Sequence, residues 1–381
     1  MKVLACAIGF GLGPSGKLST IVNYNEQFEW YACGDKLDLS IYKKNPFIDC
    51  CWSKNEKDLE NFVKKYLIKC AVNVLDQELA ITLKKIGIEV IYVDSLPFMW
   101  TNSDIIPYDA DYYCAQKYPN YFIRPVLEPV KNLIWVEPII FEIAENKENT
   151  GIVINFGGLH SPFGEGREYF EVIMKALFPI ISAQNIHITG GNNVVKLVKK
   201  LFPSLHCQTY SHEEFLKLVA GAELFITSPG LTTIYETCGM NIKTVVMPPQ
   251  NLSQFYNVSI AEKVCKNVKV LSWKHDSLNF DSLKCFSDKS EEETVRYIYE
   301  QIRILSKDKK YIKNFRSYVL DMLKEDFSEN ATKCFEGNGV IEISKILCKI
   351  SERKKRFKCL IFLKYSLVPN HIFSSRIYRF E

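Results

Sequence analysis

The second half of the chain alternates short apolar runs with segments of helical spacing, and this alternation limits the folds that the chain can adopt. The apolar runs are 152–156, 186–189, 224–227 and 244–247. Strands that alternate with helices build parallel sheets, because each parallel crossover needs about a dozen residues or more. Ligands of such sheets bind beyond the carboxyl ends of the strands. Gly157, Gly158 and Gly190 follow two of these runs, so the pattern predicts a doubly wound domain with a ligand site at that edge.

The first half shows the same alternation with longer connections. Apolar runs at 2–8, 70–75 and 89–93 are typical of buried strands, and 77–86 has helical spacing. A polar, charged stretch at 142–150 separates the two halves. This change of composition indicates a domain boundary.

We therefore predict an α/β fold of two Rossmann-like, doubly wound domains that face a central cleft. The first domain is placed at 1–142 and the second at 143–345. Residues 346–381 are expected to form a C-terminal helix or tail that packs back on the first domain.

Charge and cysteine usage restrict the partners and the compartment. The chain has 381 residues with 48 basic and 44 acidic side chains, so its near-neutral balance predicts no nucleic-acid partner. Its 13 cysteines include no Cys-x-x-Cys pair, which favours reduced thiols in a cytoplasmic protein. Single cysteines in apolar or helical stretches are expected to be buried: Cys6, Cys70, Cys114, Cys207 and Cys238. We predict no metal site and no cofactor.

A glycine-rich loop follows the first apolar run. Its candidate phosphate-binding residues are Gly11, Gly13, Ser15, Gly16 and Lys17. The glycines satisfy the G-x-G-x-x-G pattern of dinucleotide sites, with Asp35 near the position expected for a ribose contact. The loop also approaches a P-loop, but Leu18 stands where that motif needs Ser or Thr. We favour a third interpretation, a loop that faces the cleft and brings Lys17 and backbone N–H groups to a phosphate.

The most informative stretch is 227–239, where an apolar run ends in a Pro-Gly turn and a helix begins. The first turn of that helix offers unpaired N–H groups and a positive dipole end, which suit a diphosphate. Glu236 follows Thr233 by three residues, so the two share a helix face, and a carboxylate there can accept both hydroxyls of a ribose. The candidate donor-binding residues of this stretch and of the next loop are Ser228, Gly230, Thr232, Thr233, Glu236, Gln250 and Gln254.

This region resembles the donor domain of GT-B glycosyltransferases, above all the bacterial family that adds N-acetylglucosamine to the lipid-linked peptidoglycan precursor. The matching elements are Gly157-Gly158, then Ser228, Gly230, Thr233 and Glu236, then Gly239, the run 244–247, and Gln254 with Asn257. The resemblance implies the GT-B fold, a ribose contact from Glu236, donor-sugar contacts from Gln250 and Gln254, and Tyr210 or Phe215 beside the base. The chain departs from that family in its first glycine loop, where Lys17 is nearest to the place of a histidine. It also has 93–98 where the family carries an acceptor-side His-Glu-Gln-Asn stretch.

The resemblance implies an inverting, metal-independent glycosyltransferase that takes a sugar from a nucleotide donor, with a UDP-sugar favoured. Retaining relatives carry a second glutamate where this chain has Ser228, which favours inversion with the help of a general base. Asp94 is the candidate base, because it follows an apolar run at its carboxyl end. Lys17 is the second candidate catalytic residue. The acceptor is expected to be a small molecule or lipid-linked.

Two other functions remain open. A GT-B-like epimerase or hydrolase would act on the nucleotide sugar without an acceptor. A non-enzymatic nucleotide-binding module is the other, with a weak peripheral membrane contact through the basic stretch 353–358 and the apolar residues after it. Such a stretch also suits the solvated and buried faces of one helix.

Overall fold

The computed structural model describes residues 1–9, 12–34, 49–51, 56–143, 148–158, 166–181, 185–238, 240, 242–265, 267–283, 289–327 and 335–366. Within these residues the chain forms two parallel β-sheets with helices packed against them.

The first sheet belongs to the N-terminal half. Its strands are β1 (Lys2–Ala7), β2 (Glu29–Gly34), β3 (Asp49–Cys51), β4 (Cys70–Val74), β5 (Glu89–Asp94), β6 (Tyr112–Gln116) and β7 (Leu133–Val136). They lie in the order β3-β2-β1-β4-β5-β6-β7, and every pair is parallel. The connecting helices are α1 (Gly13–Tyr24), α2 (Glu56–Tyr66) and α3 (Gln77–Lys85).

The second sheet follows the same plan. Its strands are β8 (Gly151–Asn155), β9 (Ile186–Thr189), β10 (Cys207–Gln208), β11 (Ala222–Thr227), β12 (Thr244–Val246) and β13 (Val268–Val270), in the order β10-β9-β8-β11-β12-β13. The helices are α4 (Arg167–Ile181), α5 (Asn192–Leu201), α6 (His212–Ala220), α7 (Leu231–Cys238), α8 (Leu252–Val264), α9 (Phe280–Leu283), α10 (Glu291–Lys307), α11 (Lys309–Lys324) and α12 (Gly339–Ser366).

Burial explains why these segments form parallel sheets. All five residues of β4 are buried, as expected when helices cover both faces of a parallel sheet. Alternate residues of β1 enter different apolar clusters: Val3 and Ala5 lie on one face and Leu4 and Cys6 on the other. The expected α/β fold with two doubly wound sheets is confirmed.

The strand order places one topological switch point in each domain. In the first sheet the order reverses between β1 and β4, and in the second between β8 and β11. Ligands of open α/β sheets bind outside the carboxyl ends of the strands at such points. Most of the predicted site residues lie in the loops that leave β1, β8 and β11 or in helices α1 and α7, which follow β1 and β11. The topology thus brings these distant stretches to the same edges.

The chain crosses between the domains twice, and the two crossings bind each other. Asn338 donates from Nδ2 to the carbonyl of Ile140 at 2.9 Å, and the Gly339 N–H donates to the carbonyl of Pro138 at 3.1 Å. Helix α12 then packs on the first sheet through residues that include Val340 and Ile343. The helix thus begins before residue 346, where the sequence analysis placed the start of the tail.

Two cations in the basic stretch of α12 are bound to the first domain. Arg353 and Lys354 both form ion pairs with Glu89 at the start of β5, and Lys354 also donates to the carbonyl of Lys69. These two cations therefore help to hold α12 against the first sheet. The side chains from 355 onward, which would complete the predicted membrane contact, lie outside the described residues. In the described part of the chain, no helix has the length and apolar character needed to cross a bilayer.

The crossing is tight enough to test by substitution. A Cβ atom on Gly339 would lie 2.1 Å from the carbonyl oxygen of Glu137, so Gly339→Ala forces a backbone shift. We expect a loss of about 1–3 kcal/mol in the free energy of unfolding, measured by urea denaturation. Gly337→Ala is the matched control, because its Cβ would meet only the Glu137 Cγ at 3.5 Å. Equal losses for the two variants would contradict this account.

Candidate functional site

Two helix N-termini meet at the boundary between the domains. Helix α1 begins at Gly13 and α7 begins at Leu231, and a Cβ atom on Gly13 would lie 3.6 Å from Thr232 Oγ1. The first N–H groups of a helix lack intrahelical partners and carry a partial positive charge. The described structure thus directs two positive helix ends at one place, which favours an anion between them.

His212, the first residue of α6, also lies next to the two helix ends. A Cβ atom on Gly16 would lie 3.5 Å from both Cε1 and Nδ1 of the His212 ring. A Cβ atom at position 16 would be in ordinary van der Waals contact with the imidazole, so the start of α1 lies directly against the His212 ring. Ser211 precedes the histidine and caps α6 in a reciprocal capping box with Glu214, so the start of the helix is well defined.

Glu236 lies at the centre of this boundary and is buried. Its Oε1 lies 2.8 Å from His212 Nε2 and accepts the backbone N–H of Phe141 at 3.2 Å. Its Oε2 is also buried and has no hydrogen-bond partner. A buried carboxylate oxygen without a donor is costly, so this atom is suited to accept a hydrogen bond from a ligand hydroxyl.

Lys17 supplies a buried cation beside this carboxylate. The side chain is 2% exposed, and its Nζ donates to Gln116 Oε1 at 2.8 Å. Gln116 ends β6 and is itself buried. Burial lowers the pKa of Lys17 to about 8, and the negative charge of Glu236 opposes this change. A cation held by a neutral amide in a buried place is suited to bind an anionic ligand.

Two opposing effects act on the pKa of His212. Burial by itself would lower the pKa, but the charge and the hydrogen bond of Glu236 raise it, so that the net pKa lies above its ordinary value. Lys17 opposes protonation of the ring. The protonated imidazolium is therefore favoured by the pair with Glu236, which adds positive charge at the two helix ends.

The glycines of the second domain allow its loops to pack backbone to backbone. The Gly191 N–H donates to the carbonyl of Gly157 at 2.8 Å, and a Cβ atom on Gly190 would lie 2.9 Å from that same oxygen. Gly157 has φ +62°, in the left-handed region that favours glycine. Gly158 lies on the same approach, since its carbonyl is 3.2 Å from the Cβ position of Gly191. These contacts give the predicted glycines a structural reason.

The turn before α7 is supported from below. Ser228 is buried, and its backbone N–H donates to the carbonyl of Asn155 at 2.8 Å. Asn257 of α8 donates from Nδ2 to the carbonyl of Pro229 at 2.9 Å. Thr233 lies three residues after Gly230, and its Oγ1 is 3.7 Å from the Gly230 Cβ position. The Pro-Gly turn is thus held in place from both sides, at the end of β11.

Asp94 lies in surroundings that do not suit the role predicted from sequence. The residue is 0% exposed, and its carboxylate accepts hydrogen bonds from Leu96 N, Trp100 Nε1 and Tyr113 OH. Burial raises its pKa to about 6, although the hydrogen bonds oppose this change. A general base must reach the proton that it removes. In the described conformation Asp94 instead fixes the loop after β5, so the catalytic assignment needs correction to a structural one.

The remaining predicted residues divide between the site and the interior. Gln254 accepts the Gln250 N–H at 2.9 Å, and Gln250 accepts from Tyr299 OH at 3.1 Å, so both amide oxygens stabilise their own loop. Phe215 packs against Phe225 in an apolar cluster under the second sheet, which does not fit a contact with a base. Tyr210 lines a groove with Gln208 and Glu214 on the surface of the second domain.

Some predictions lie outside the described residues, namely Gly11, Asp35 and Gly239. Ser15 is described and is fully buried in α1. Asp111 accepts from Val90 N and pairs with Lys84, so its carboxylate stabilises the first sheet.

Sequence reasoning missed His212 and Gln116. His212 follows a Ser that starts a helix with Glu at the third position, a capping box that reveals the helix start but no partner. Gln116 ends a strand rich in tyrosine that the sequence analysis did not assign. Their partners Glu236 and Lys17 are distant in the chain, so no local pattern connects them.

The described residues contain no cluster of side chains that could bind a metal ion. Among those residues, no three side chains of His, Cys, Asp or Glu come together as a group that could hold an ion.

Comparison with known proteins gives a likeness of structure alone. No protein-family model matches the chain, and no curated protein matches it. MnaA from S. aureus, solved with UDP, is 10% identical, covers 93% of this chain and 97% of its own, and has a TM-score of 0.53. UDP-GlcNAc 2-epimerase from Neisseria meningitidis, bound to UDP-GlcNAc, is 12% identical, covers 92% and 100%, and has a TM-score of 0.52. MurG from Acinetobacter baumannii is 13% identical over 91% and 99%, with a TM-score of 0.46. The first two likenesses extend over both sheets, and the GT-B fold expected from sequence is confirmed.

The buried lysine predicts a pH dependence of stability. The folded pKa of Lys17, about 8, lies below its ordinary value of 10.5. The unfolded chain then binds more protons between these values, so the contribution of Lys17 to stability rises with pH over that window. We expect the free energy of unfolding of the native chain to rise between pH 8 and 10.5 relative to that of Lys17→Met, which lacks this titration. The difference between the two proteins should therefore change over that window, as urea denaturation at several pH values will measure.

Lys310→Met, at an exposed lysine of α11, controls for the loss of one charge. A constant difference between Lys17→Met and the native chain over the whole window would contradict the assigned surroundings of Lys17.

Proposed function

We propose that this chain is an enzyme that acts on a nucleoside diphosphate sugar held between its two domains. The observation that carries the proposal is the meeting of two helix N-termini with the buried Lys17, beside a Glu236 oxygen that has no donor. One carboxylate faces a buried lysine, a histidine whose pKa is raised, and two helix ends. The balance of charge is positive, which matches a diphosphate.

We propose a separate group of residues for each part of the donor. In this proposal the first turns of α1 and α7, together with Lys17, bind the diphosphate. In the same proposal the ribose hydroxyls donate to Glu236 Oε2, a buried acceptor atom without a hydrogen-bond partner. We favour a uridine nucleotide in the donor, since the two solved structures with the higher TM-scores hold UDP and UDP-GlcNAc.

Glycosyl transfer is the reaction that we propose first. The departing nucleoside diphosphate gains negative charge, and preorganised helix N–H groups with Lys17 stabilise that charge without a need for a metal ion. His212, favoured in its protonated form by Glu236, is suited to donate a hydrogen bond to the departing phosphate. The acceptor, a small molecule or a lipid-linked molecule, attacks the anomeric carbon of the donor sugar as the bond to the diphosphate breaks. We propose inversion at that carbon, because Ser228 stands where a second carboxylate would be needed for retention.

Epimerisation or hydrolysis of the nucleotide sugar is the second candidate function. It is favoured by the likeness to a UDP-GlcNAc 2-epimerase. Incubation of UDP-GlcNAc with the protein alone distinguishes the two functions. Epimerised or free sugar without an acceptor supports the second function, and a stable donor that is consumed only with an acceptor supports transfer.

The donor proposal is tested by substitution of Glu236. Glu236→Gln keeps the shape of the side chain and removes the charge that accepts the ribose hydroxyls and faces Lys17. We expect the Kd for UDP to rise about tenfold or more, since a hydrogen bond to a charged group contributes about 1.5–3 kcal/mol. Isothermal titration calorimetry measures the change.

Glu300→Gln, at an exposed glutamate of α10, is the control and should leave the Kd unchanged. A screen of UDP-, dTDP-, GDP- and CMP-sugars by thermal shift identifies the nucleotide, because a ligand that binds the native state raises the Tm. If no nucleotide raises the Tm of the native chain, or if Glu236→Gln binds UDP as the native chain does, the proposal fails.

A further inference from the structure

The loop that follows β6 exposes three consecutive large apolar residues. Tyr121 is 43% exposed, Phe122 56% and Ile123 48%. Single exposed apolar residues are common on protein surfaces, but a contiguous group rich in aromatic rings marks a binding surface. None of these residues takes part in the proposed donor site, so the group needs another explanation.

The exposed rings belong to a larger cluster, which we call the ring platform and define as Tyr118, Tyr121, Phe122 and Trp135. Tyr118 lies 6.5 Å from Tyr121, 6.4 Å from Phe122 and 6.3 Å from Trp135, measured between ring centroids. Tyr121 and Trp135 are 4.7 Å apart. Four adjoining rings at these distances form one continuous aromatic surface.

Hydrogen bonds hold the platform in shape. Tyr118 OH donates to the carbonyl of Phe122 at 3.2 Å, and the Phe122 N–H donates to Tyr118 OH at 3.3 Å. At the end of the loop, Arg124 Nη1 donates to the carbonyl of Phe98 at 2.8 Å. A surface that is already ordered loses less conformational entropy when a ligand binds, so the platform is preformed for binding.

The platform is continuous with the candidate donor site. Tyr118 follows Lys117, whose carbonyl accepts from Tyr235 OH of α7 at 3.3 Å. Lys117 in turn follows Gln116, the partner of Lys17. A ligand on the platform would thus lie beside the helix whose first turn is proposed to hold the diphosphate.

A second connection crosses between the domains through aromatic rings. Phe98 lies 5.3 Å from Tyr118 in the first domain and 5.5 Å from Tyr256 in the second. Phe98 and Tyr256 also belong to an apolar cluster that contains Leu231 and Tyr235 of α7. Buried apolar contacts therefore connect the exposed rings to the domain boundary.

Charges beside the platform already have partners. Lys117 pairs with Glu137 at 2.5 Å, and its Nζ lies 5.8 Å from the Tyr121 ring centroid. Arg124 is directed at the carbonyl of Phe98. This arrangement suits an uncharged, ring-bearing ligand better than an anion.

The geometry points to the ring platform as the acceptor subsite, which binds the apolar, ring-bearing part of an acceptor whose hydroxyl faces the donor. This inference rests on the proposed function, since it assumes a sugar donor at α7. Aromatic rings supply contact area with few rotatable bonds, so they select acceptors with a planar apolar ring.

The test uses 2-naphthol and 7-hydroxycoumarin, two planar ring alcohols, as probes of the full-length protein. Binding is followed by the fluorescence of the probes, with and without saturating UDP. We expect Tyr121→Ser and Phe122→Ser to raise the Kd for at least one probe about tenfold or more, with the Kd for UDP unchanged. Phe178→Ser, at a phenylalanine of α4 that is 48% exposed, is the matched control and should change neither.

The outcomes separate this inference from the proposed function. If UDP does not bind the native chain, the proposed function fails, whatever the probes do. If UDP binds but neither probe does, or if both platform variants bind the probes as the native chain does, the acceptor inference is overturned. Flotation with vesicles of phosphatidylcholine and phosphatidylglycerol tests a membrane surface as the occupant instead. Vesicle binding by the native chain that both variants lose, without probe binding, also overturns the inference.

Discussion

The contact between the two domains depends on the contacts of the buried Glu236 carboxylate. This carboxylate is buried between the two sheets, with His212 on one oxygen and the N–H of Phe141 beside it, and Lys17 supplies positive charge from the first domain. A buried carboxylate is tolerated only where cations and donors surround it. The meeting of α1, α6 and α7 supplies these partners, and the cost of burying Lys17 and Glu236 is lowest when both domains are in contact.

This carboxylate also connects the site to the two chain crossings. Phe141 lies next to Ile140, which is bound by the Asn338 amide on the returning crossing. A ligand that binds Glu236 Oε2 would contact a side chain whose other oxygen, Oε1, accepts the Phe141 N–H of the first crossing. The relative position of the two domains and the occupancy of the site are therefore physically coupled through one side chain.

Much of the fold could be predicted from sequence because its signals are local. Strand β9 at Ile186–Thr189 begins and ends where the sequence predicts, and helix α7 begins directly after the predicted Pro-Gly turn. Strand β6 was missed because it is rich in tyrosine, and the buried Tyr113 finds its partner in Asp94 of the neighbouring strand. Asp94 itself was correctly located at a strand end, but its burial results from Trp100 and Tyr113, which approach it only in the folded sheet.

The sequence by itself determined the two sheets, the glycines at their carboxyl edges and the helix start at α7, since hydrophobic period and turn chemistry are encoded over a few neighbouring residues. Only the tertiary structure decided which side chains share the site. Lys17 meets Gln116 across 99 residues of chain, and His212 meets Glu236 across 24. Such pairs depend on how the helices and sheets pack, and the spacing of residues along one chain carries no information about that packing.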